Sequence, residues 1–292
     1  MADSFRSRLR DGPPIVADGA MGTFLQAAGL PAGTPGEAWV LERPQAVADV
    51  HRSYVEAGAG LILTCTFGGT RARLQRAGLA DQVDEINRQA ASVAREAAAG
   101  RAYVAGDIGP LGELLAPLGR RTYEEAVDLF AEQAAALAAG AVDLLYVETM
   151  SSLDEARAAV EGARRAAPDL PLTVTLSFDR KGRTNMGVRP EQAAQALAEL
   201  EVTAMGANCG HSLEMTTEAL QKMRQTAPEA ILIAKPNAGL PRVVGDETIY
   251  DATPEMMAQY ARRFVDMGAQ IVGGCCGSTP AHIAAIAQAL QE

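Results

Sequence analysis

The fold is decided by a stretch near the end of the chain, residues 270–280, which reads QIVGGCCGSTP. Its first residues form a short apolar run typical of a buried strand, and Thr279 followed by Pro280 is a common start of a helix. Two adjacent cysteines, Cys275 and Cys276, lie between them with glycines on both sides. Side chains of adjacent residues point to opposite faces of a regular strand, so both thiols can reach one ion only where the strand breaks into a turn. The flanking glycines permit such a turn.

The same order of strand and helix repeats along the chain. The predicted strands are residues 15–17, 61–64, 102–105, 144–147, 172–176, 204–207, 231–234 and 270–273. The predicted helices are residues 44–57, 81–99, 122–139, 153–166, 190–200, 213–227, 254–267 and 280–291. Strict alternation predicts a parallel sheet, and eight strand-helix pairs predict that the sheet closes into a (βα)8 TIM barrel of the α/β class.

The chain has the length of a single barrel domain. It contains 292 residues, of which 48% are hydrophobic, and no low-complexity linker divides it. We therefore predict one domain over residues 1–292. Residues 1–12 are expected to form an additional N-terminal arm, and residues 24–43, which contain the single tryptophan Trp39, a long first βα loop.

Charge and hydropathy exclude several classes of partner. The formal net charge is −10, and no run of Lys or Arg is long enough to follow a phosphate backbone, so nucleic acid is not an expected partner. No apolar window approaches the length of a membrane span, and the N-terminus lacks the apolar segment of a signal peptide. These features predict a cytoplasmic protein. In a reducing cytosol the four cysteines indicate metal binding or catalysis rather than disulfides.

Polar and reactive residues follow the predicted strands, where the catalytic groups of a barrel collect. They are Asp18, Thr66, Asp107, Glu148, Ser177, Cys209, Asn237 and the pair Cys275 and Cys276. Because all these ends meet on one face of a barrel, Cys209 is predicted to approach Cys275 and Cys276 despite its distance in sequence.

Three thiolates with an open fourth position indicate zinc in a catalytic role, since structural zinc sites close the tetrahedron with a fourth protein ligand. His51 and His282 lie in predicted helices, so we expect them to be surface or packing residues. His211 follows Cys209 by two residues, a spacing that is short for two ligands of one ion. Cys65 has no partner nearby and is expected to be a small buried apolar residue.

Such a site suits the activation of a substrate thiol. A free thiol has a pKa near about 8.5, whereas a thiol that coordinates a metal is deprotonated. Three thiolates around Zn²⁺ carry a formal charge of −1, and a fourth sulfur keeps the site electron-rich, so that the bound sulfur stays nucleophilic. It can attack an activated methyl group and leave as a neutral thioether. Water or Asn237 is predicted to fill the fourth position when substrate is absent.

The order of motifs resembles a known family across nearly the whole chain. The motifs are Asp18–Thr23, Thr64–Phe67, Gly106–Pro110, Glu148–Thr149, Gly206–Cys209, Pro236–Gly239 and Gly273–Pro280. Together they resemble the zinc-dependent homocysteine S-methyltransferases. Within that family the chain is similar to the homocysteine-binding module of cobalamin-dependent methionine synthase, and less similar to the betaine-dependent enzymes.

The resemblance implies that zinc is held by Cys209, Cys275 and Cys276, with the homocysteine sulfur in the fourth position. It also implies that Asp18 and Glu148 bind the substrate ammonium. The backbone N–H groups of the loop after Asp18, which includes Gly19, Ala20 and Met21, are expected to bind the substrate carboxylate. With Asn237, these residues form the expected substrate-binding set, and the implied reaction forms methionine, a step of amino-acid biosynthesis.

The sequence also departs from the family. The chain ends at Glu292, which leaves no room for the folate and cobalamin modules of methionine synthase, so a corrinoid donor is expected to arrive on a separate protein. Position 65 is Cys where the family motif commonly has Asn. A methylcorrinoid protein, S-methylmethionine, S-adenosylmethionine and a betaine-like onium compound all remain open as donors. The first strand lacks a glycine-rich nucleotide motif, which disfavours a tightly held nucleotide donor.

Three alternative functions remain open. The chain is a candidate methyltransferase for a related thiol or selenol, with a corrinoid protein as its partner. A non-catalytic zinc-binding barrel would instead close its metal site with four protein ligands. A redox pair of Cys275 and Cys276 would form a strained ring and leave Cys209 without a role.

Overall fold

A computed structural model describes residues 2–244 and 247–291 of the chain. The strands are β1 (Ile15–Val16), β2 (Leu61–Leu63), β3 (Tyr103–Ile108), β4 (Leu144–Met150), β5 (Leu172–Leu176), β6 (Ala204–Cys209), β7 (Leu232–Pro236), β8 (Pro241–Val244), β9 (Glu247–Tyr250) and β10 (Ala269–Val272). Eight of them form one parallel sheet in the order β1-β10-β7-β6-β5-β4-β3-β2. Ala17 pairs in parallel with Leu61, which joins the two edge strands and closes the barrel. The predicted barrel and its eight strands are confirmed.

The helices surround this sheet. They are α1 (Ala2–Asp11), α2 (Gly22–Ala27), α3 (Gly36–Glu42), α4 (Pro44–Glu56), α5 (Arg71–Leu74), α6 (Val83–Ala98), α7 (Tyr123–Ala139), α8 (Leu153–Ala166), α9 (Pro190–Glu199), α10 (Leu213–Thr226), α11 (Pro254–Asp266) and α12 (Pro280–Ala289). All eight predicted helices are present, and four of them begin with the proline that the sequence indicated. None of the helices in the described chain is both long and apolar enough to cross a membrane.

Several helices and strands were not predicted from the sequence. The N-terminal arm is the helix α1, whose buried Phe5 and Leu9 lie one turn apart and pack into the inner core of the barrel. The ring of Phe5 meets that of Tyr103 edge to face at 5.1 Å, so α1 closes the amino-terminal end of the barrel. The long first loop contains α2 and α3, and the loop after β7 contains the antiparallel pair β8 and β9.

Side-chain alternation along the strands produces an apolar interior covered by a polar layer. The inner core includes Ala105 of β3, Tyr146 of β4 and Ile233 of β7. Residues two positions further along a strand point to the same face. The carboxyl ends of these strands therefore direct Asp107, Glu148 and Lys235 into the barrel interior, all of them buried.

His51 of α4 is the basis of a prediction about acid stability. Its side chain is fully buried, and neither ring nitrogen has a hydrogen-bond partner among the described residues. Burial, with a smaller contribution from Arg52, lowers the pKa of His51 to about 4 from its ordinary value of 6.5. The folded protein therefore keeps this imidazole neutral, as expected of a packing residue.

The unfolded chain binds a proton at His51 near pH 6.5, whereas the folded chain does not until near pH 4. The contribution of His51 to stability is thus complete above pH 6.5 and is lost as the pH falls towards 4. Between pH 7 and pH 5, we expect the free energy of unfolding of the wild type to fall by about 2 kcal/mol more than that of His51→Leu. Urea unfolding at both pH values measures this difference. Parallel pH profiles for the two proteins would contradict it.

Candidate metal centre and substrate site

Three cysteine sulfurs converge at the carboxyl end of the barrel. Cys209 is the last residue of β6, and Cys275 and Cys276 lie in the turn after β10. The sulfur of Cys209 is 3.1 Å from that of Cys275 and 3.9 Å from that of Cys276, and all three lie within 4.8 Å of one another. No histidine or carboxylate of the described residues joins this group, so His211 stands outside it.

Local backbone geometry turns these thiols towards each other. Cys209 has a φ of +56° and Gly210 a φ of +79°, so the chain leaves β6 through two successive left-handed residues. This conformation is uncommon for a residue with a side chain. Gly277 also has a positive φ, and a Cβ there would lie 2.1 Å from the ring of Tyr250. The turn after Cys276 therefore requires glycine.

Asn237 connects the two cysteine segments. Its Oδ1 accepts a hydrogen bond from the backbone N–H of Cys276 at 3.0 Å, and its Nδ2 donates to the carbonyl of Gly210 at 2.8 Å. Both polar atoms of the side chain thus bind backbone on either side of the sulfur group. Asn237 fixes the separation of the two turns that supply the thiols.

The three thiols share protons through their hydrogen bonds. Hydrogen bonds from Cys209 and Cys275 lower the pKa of Cys276, because they stabilise its thiolate. Donation to Cys275 and Cys276, reinforced by burial, raises the pKa of Cys209. The cluster therefore resists losing all its protons together unless a cation compensates the charge. A soft divalent metal supplies that compensation, which is the chemistry this donor set fits.

Asn208 joins the sulfur group to a buried carboxyl. Its Nδ2 donates to Glu148 Oε2 at 3.1 Å and to Thr149 Oγ1 at 2.7 Å, and it lies 4.0 Å from the sulfur of Cys275. Its Oδ1 accepts from the backbone N–H of Thr149 and from the hydroxyl of Thr175. Burial, followed by the negative charge of Cys275, raises the pKa of Glu148 to about 8.

Asp18 pairs with a buried lysine. Its Oδ1 lies 2.7 Å from Lys235 Nζ, and its Oδ2 accepts the backbone N–H of Leu63 at 2.7 Å. The structure therefore brings both predicted ammonium-binding carboxyls, Asp18 and Glu148, to the barrel mouth. Both oxygens of Asp18 already have partners. Lys235 and Asn208 were not assigned roles from the sequence, although their inward positions follow from two-residue alternation along β7 and β6.

The loop after Asp18 has unused backbone donors. The hydroxyl of Tyr54 binds the carbonyl of Ala20 at 2.8 Å and that of Ser278 at 3.0 Å, which fixes the loop beside the turn after Cys276. No described residue accepts a hydrogen bond from the backbone N–H of Gly19, Ala20 or Met21. Successive free N–H groups form a suitable binding site for a carboxylate.

Three other residues that the sequence analysis named, Cys65, Thr66 and His282, pack against or hydrogen-bond to neighbouring residues and are not part of the sulfur group. Cys65 is buried outside the sulfur group, and burial raises the pKa of its thiol, as expected for a packing residue. The hydroxyl of Thr66 donates to the backbone carbonyl of Asp107 at 2.7 Å. His282 is buried, with Nδ1 accepting from the Thr279 N–H and Nε2 lying 2.9 Å from the carbonyl of Ala252.

Comparison with known proteins agrees with this geometry. A family model described as homocysteine S-methyltransferase matches residues 15–290. Methionine synthase from Mycobacterium tuberculosis is 33% identical over 293 residues, which cover 94% of this chain and 24% of that protein, and the Mycobacterium leprae protein gives the same values. The chain thus spans about a quarter of the length of these curated relatives.

A solved structure extends the comparison to the fold. The homocysteine methyltransferase MmuM from Escherichia coli, in its metallated form, has a TM-score of 0.82 and 27% sequence identity. The match covers 97% of this chain and 99% of that one. The resemblance expected from the motifs is confirmed, and this chain belongs to the homocysteine S-methyltransferase family.

Proposed function

We propose that this chain transfers a methyl group to the sulfur of homocysteine and so forms methionine, with zinc held by Cys209, Cys275 and Cys276. The observation that carries this proposal is the group of three cysteine sulfurs within 4.8 Å at the carboxyl end of a barrel of this family. A methyltransferase site needs a means of keeping a thiol deprotonated at neutral pH. Three sulfur donors with one coordination position left provide it.

The spacing of the sulfurs supports zinc. Zn–S bonds of about 2.3 Å in a tetrahedron put neighbouring sulfurs about 3.8 Å apart. The separations of 3.1 Å and 3.9 Å between the sulfur of Cys209 and those of Cys275 and Cys276 lie on either side of that value. When bound, zinc supplies a Lewis acid that lets the substrate thiol lose its proton while the three protein thiolates keep its sulfur electron-rich.

The rest of the site would orient the amino-acid part of the substrate. The free N–H groups of Gly19, Ala20 and Met21 suit the carboxylate, and the buried carboxyls of Glu148 and Asp18 suit the ammonium. Asn237 belongs to the same set through its contacts with both cysteine turns. We infer that its contribution is to hold those turns, and thereby the sulfur position, in place.

The transfer itself is a displacement at carbon. The deprotonated sulfur of homocysteine attacks the methyl carbon of the donor and forms the new S–C bond. The bond between that carbon and the donor breaks, and its electron pair leaves with the donor. The product is a neutral thioether, which is a weaker metal ligand than a thiolate and therefore departs.

Two chemical classes of methyl donor suit this reaction, a methylated corrinoid and a small onium compound. We propose a corrinoid-bound methyl group as the donor, because the chain is 33% identical to methionine synthase from Mycobacterium tuberculosis and its motifs resemble the cobalamin-dependent form of that enzyme. Small onium donors, namely S-methylmethionine, S-adenosylmethionine and glycine betaine, are the competing possibilities. A related thiol or selenol as acceptor is the competing substrate.

A matrix of acceptors and donors tests this function. Zinc-loaded protein is incubated with homocysteine or selenohomocysteine and with free methylcobalamin or one of the three onium donors, and methionine or selenomethionine is measured. We expect methionine from homocysteine with at least one donor, and none after the metal has been removed with a chelator. Failure of homocysteine with every donor, including free methylcobalamin, would overturn the proposal.

A further inference from the structure

The polar layer at the barrel mouth has more buried carboxyls than cations. Asp18 follows β1, and Asp107 and Glu148 lie near the carboxyl ends of β3 and β4; their exposed fractions are 4%, 5% and 9%. Lys235 of β7, exposed to 3%, is the cation that faces them from across the interior. Burial raises the pKa of all three carboxyls, so they become fully ionised only when cations compensate their charge, and the Lys235 ammonium supplies one such cation. An additional cation would complete the balance.

Lys235 is already used by Asp18. The ion pair between Lys235 Nζ and Asp18 Oδ1 has a separation of 2.7 Å, and the backbone of Leu63 binds the other oxygen of Asp18. Each oxygen of Asp18 therefore already has one partner in the absence of substrate. A substrate ammonium would have to share this carboxylate with Lys235.

Asp107 lacks such a partner. Its Oδ1 is inaccessible and makes no hydrogen bond with any described residue. The side chain follows Ala105 of the inner core by two positions, so it points into the same interior. Burial raises the pKa of Asp107 strongly, and the charge of Glu148 raises it further. An unpaired buried carboxyl is costly to keep unless a ligand completes it.

The carboxyl of Glu148 is linked to the sulfur site through Asn208. One of its oxygens binds Asn208 at 3.1 Å, and the same Asn208 nitrogen lies 4.0 Å from the sulfur of Cys275. Three carbon atoms separate nitrogen from sulfur in homocysteine. A substrate whose sulfur lies at the cysteines can therefore direct its ammonium towards the side of the barrel that holds Glu148 and Asp107.

We propose, on the basis of the methyl-transfer function above, that Asp107 joins Glu148 and Asp18 in binding the ammonium group of the substrate, with Asp18 shared between that group and Lys235. The acidic groups are a site for an organic cation rather than a second metal, because no cluster of three carboxylate or histidine ligands is close enough for a metal in the described chain. Asp107 thus determines selectivity for an α-amino acid thiol.

The test compares two thiols that differ only at the ammonium. Binding of L-homocysteine and of 4-mercaptobutanoic acid, which has hydrogen in place of the amino group, is measured by titration calorimetry on the zinc-loaded protein. We expect the wild type to prefer homocysteine by about 100-fold, the value of a buried charge-assisted contact. Asp107→Asn should weaken homocysteine binding by about 10- to 100-fold and leave 4-mercaptobutanoic acid binding within about two-fold.

Asp143→Asn is the matched control. Asp143 is a buried carboxyl at the other end of β4, where it accepts from the Val104 N–H and pairs with Arg95. Its replacement should leave the preference for homocysteine unchanged even if the protein unfolds more easily. Asp107→Ser, with a smaller side chain, is a second variant to be used if the Asp107→Asn protein fails to fold.

The outcomes separate the two proposals. If the wild type binds neither thiol, the proposed function fails. If the wild type prefers homocysteine and a folded Asp107 variant keeps that preference, the function stands and the role of Asp107 is overturned. If both thiols weaken equally in the Asp107 variants, the residue supports the fold rather than the ammonium, which also overturns the inference.

Discussion

Replacing Cys276 with serine should remove the metal and lower kcat/KM for methyl transfer to homocysteine by at least about 1000-fold, equivalent to about 4 kcal/mol. Cys276 is one of the three sulfur donors that lie within 4.8 Å of one another, so its loss leaves only two thiols for the metal. A serine hydroxyl stays protonated and is a poor zinc ligand. Metal content per chain and steady-state kinetics measure the two effects.

Cys65→Ala is the matched control for this variant. Cys65 is also a buried free cysteine, but it lies outside the sulfur group. Its loss should leave the metal content at one ion per chain and change kcat/KM by less than about three-fold, because it removes only a small packing volume. A Cys276→Ser protein that retains stoichiometric metal and wild-type kinetics would show that the cysteine cluster does not hold the metal.

The barrel was predictable because its signal is repeated. Each strand-helix unit carries its own periodicity, and the proline at the start of α4, α9, α11 or α12 fixes one boundary independently. The helix α1 gave a weaker signal, because only Phe5 and Leu9 carry its buried apolar contacts. The strands β8 and β9 contain four residues each and form a separate two-stranded sheet, and a two-residue alternation over so few positions is not distinctive in a sequence.

The meeting of the cysteines was predictable for a topological reason. Carboxyl ends of parallel barrel strands share one face, so Cys209 and the Cys275 segment meet whatever their distance along the chain. The partners of each side chain depend instead on strand register and rotamers. The pairing of Lys235 with Asp18 crosses from β7 to the end of β1, and no local pattern encodes it. The orientation of Asn237 towards backbone likewise emerges only in three dimensions.

The contacts of Asn208 likewise depend on strand register and rotamers, and its replacement should have the second of the two largest effects. Asn208→Ala should lower kcat/KM by about 100-fold and the free energy of unfolding by about 2 kcal/mol. The substitution leaves Glu148 without its amide donor and Thr149 without a partner for its N–H. Thr149 has a φ of +60°, which is rare for a β-branched residue, so it depends on such external contacts.

Asn208→Asp should be more harmful to catalysis than Asn208→Ala, because it puts a second carboxylate against Glu148 and removes the donor at once. Asn87→Ala is the control: Asn87 is also fully buried, and its Nδ2 donates to the carbonyls of Gly69 and Val83, away from the sulfur group. It should reduce stability by a similar amount while KM and kcat change by less than about three-fold. Equal kinetic losses in the Asn87 and Asn208 variants would mean that the kinetic defect reflects stability alone. The order Asp, then Ala, then wild type in rising kcat/KM instead identifies Asn208 as the connection between the sulfur site and the carboxyl that positions the substrate.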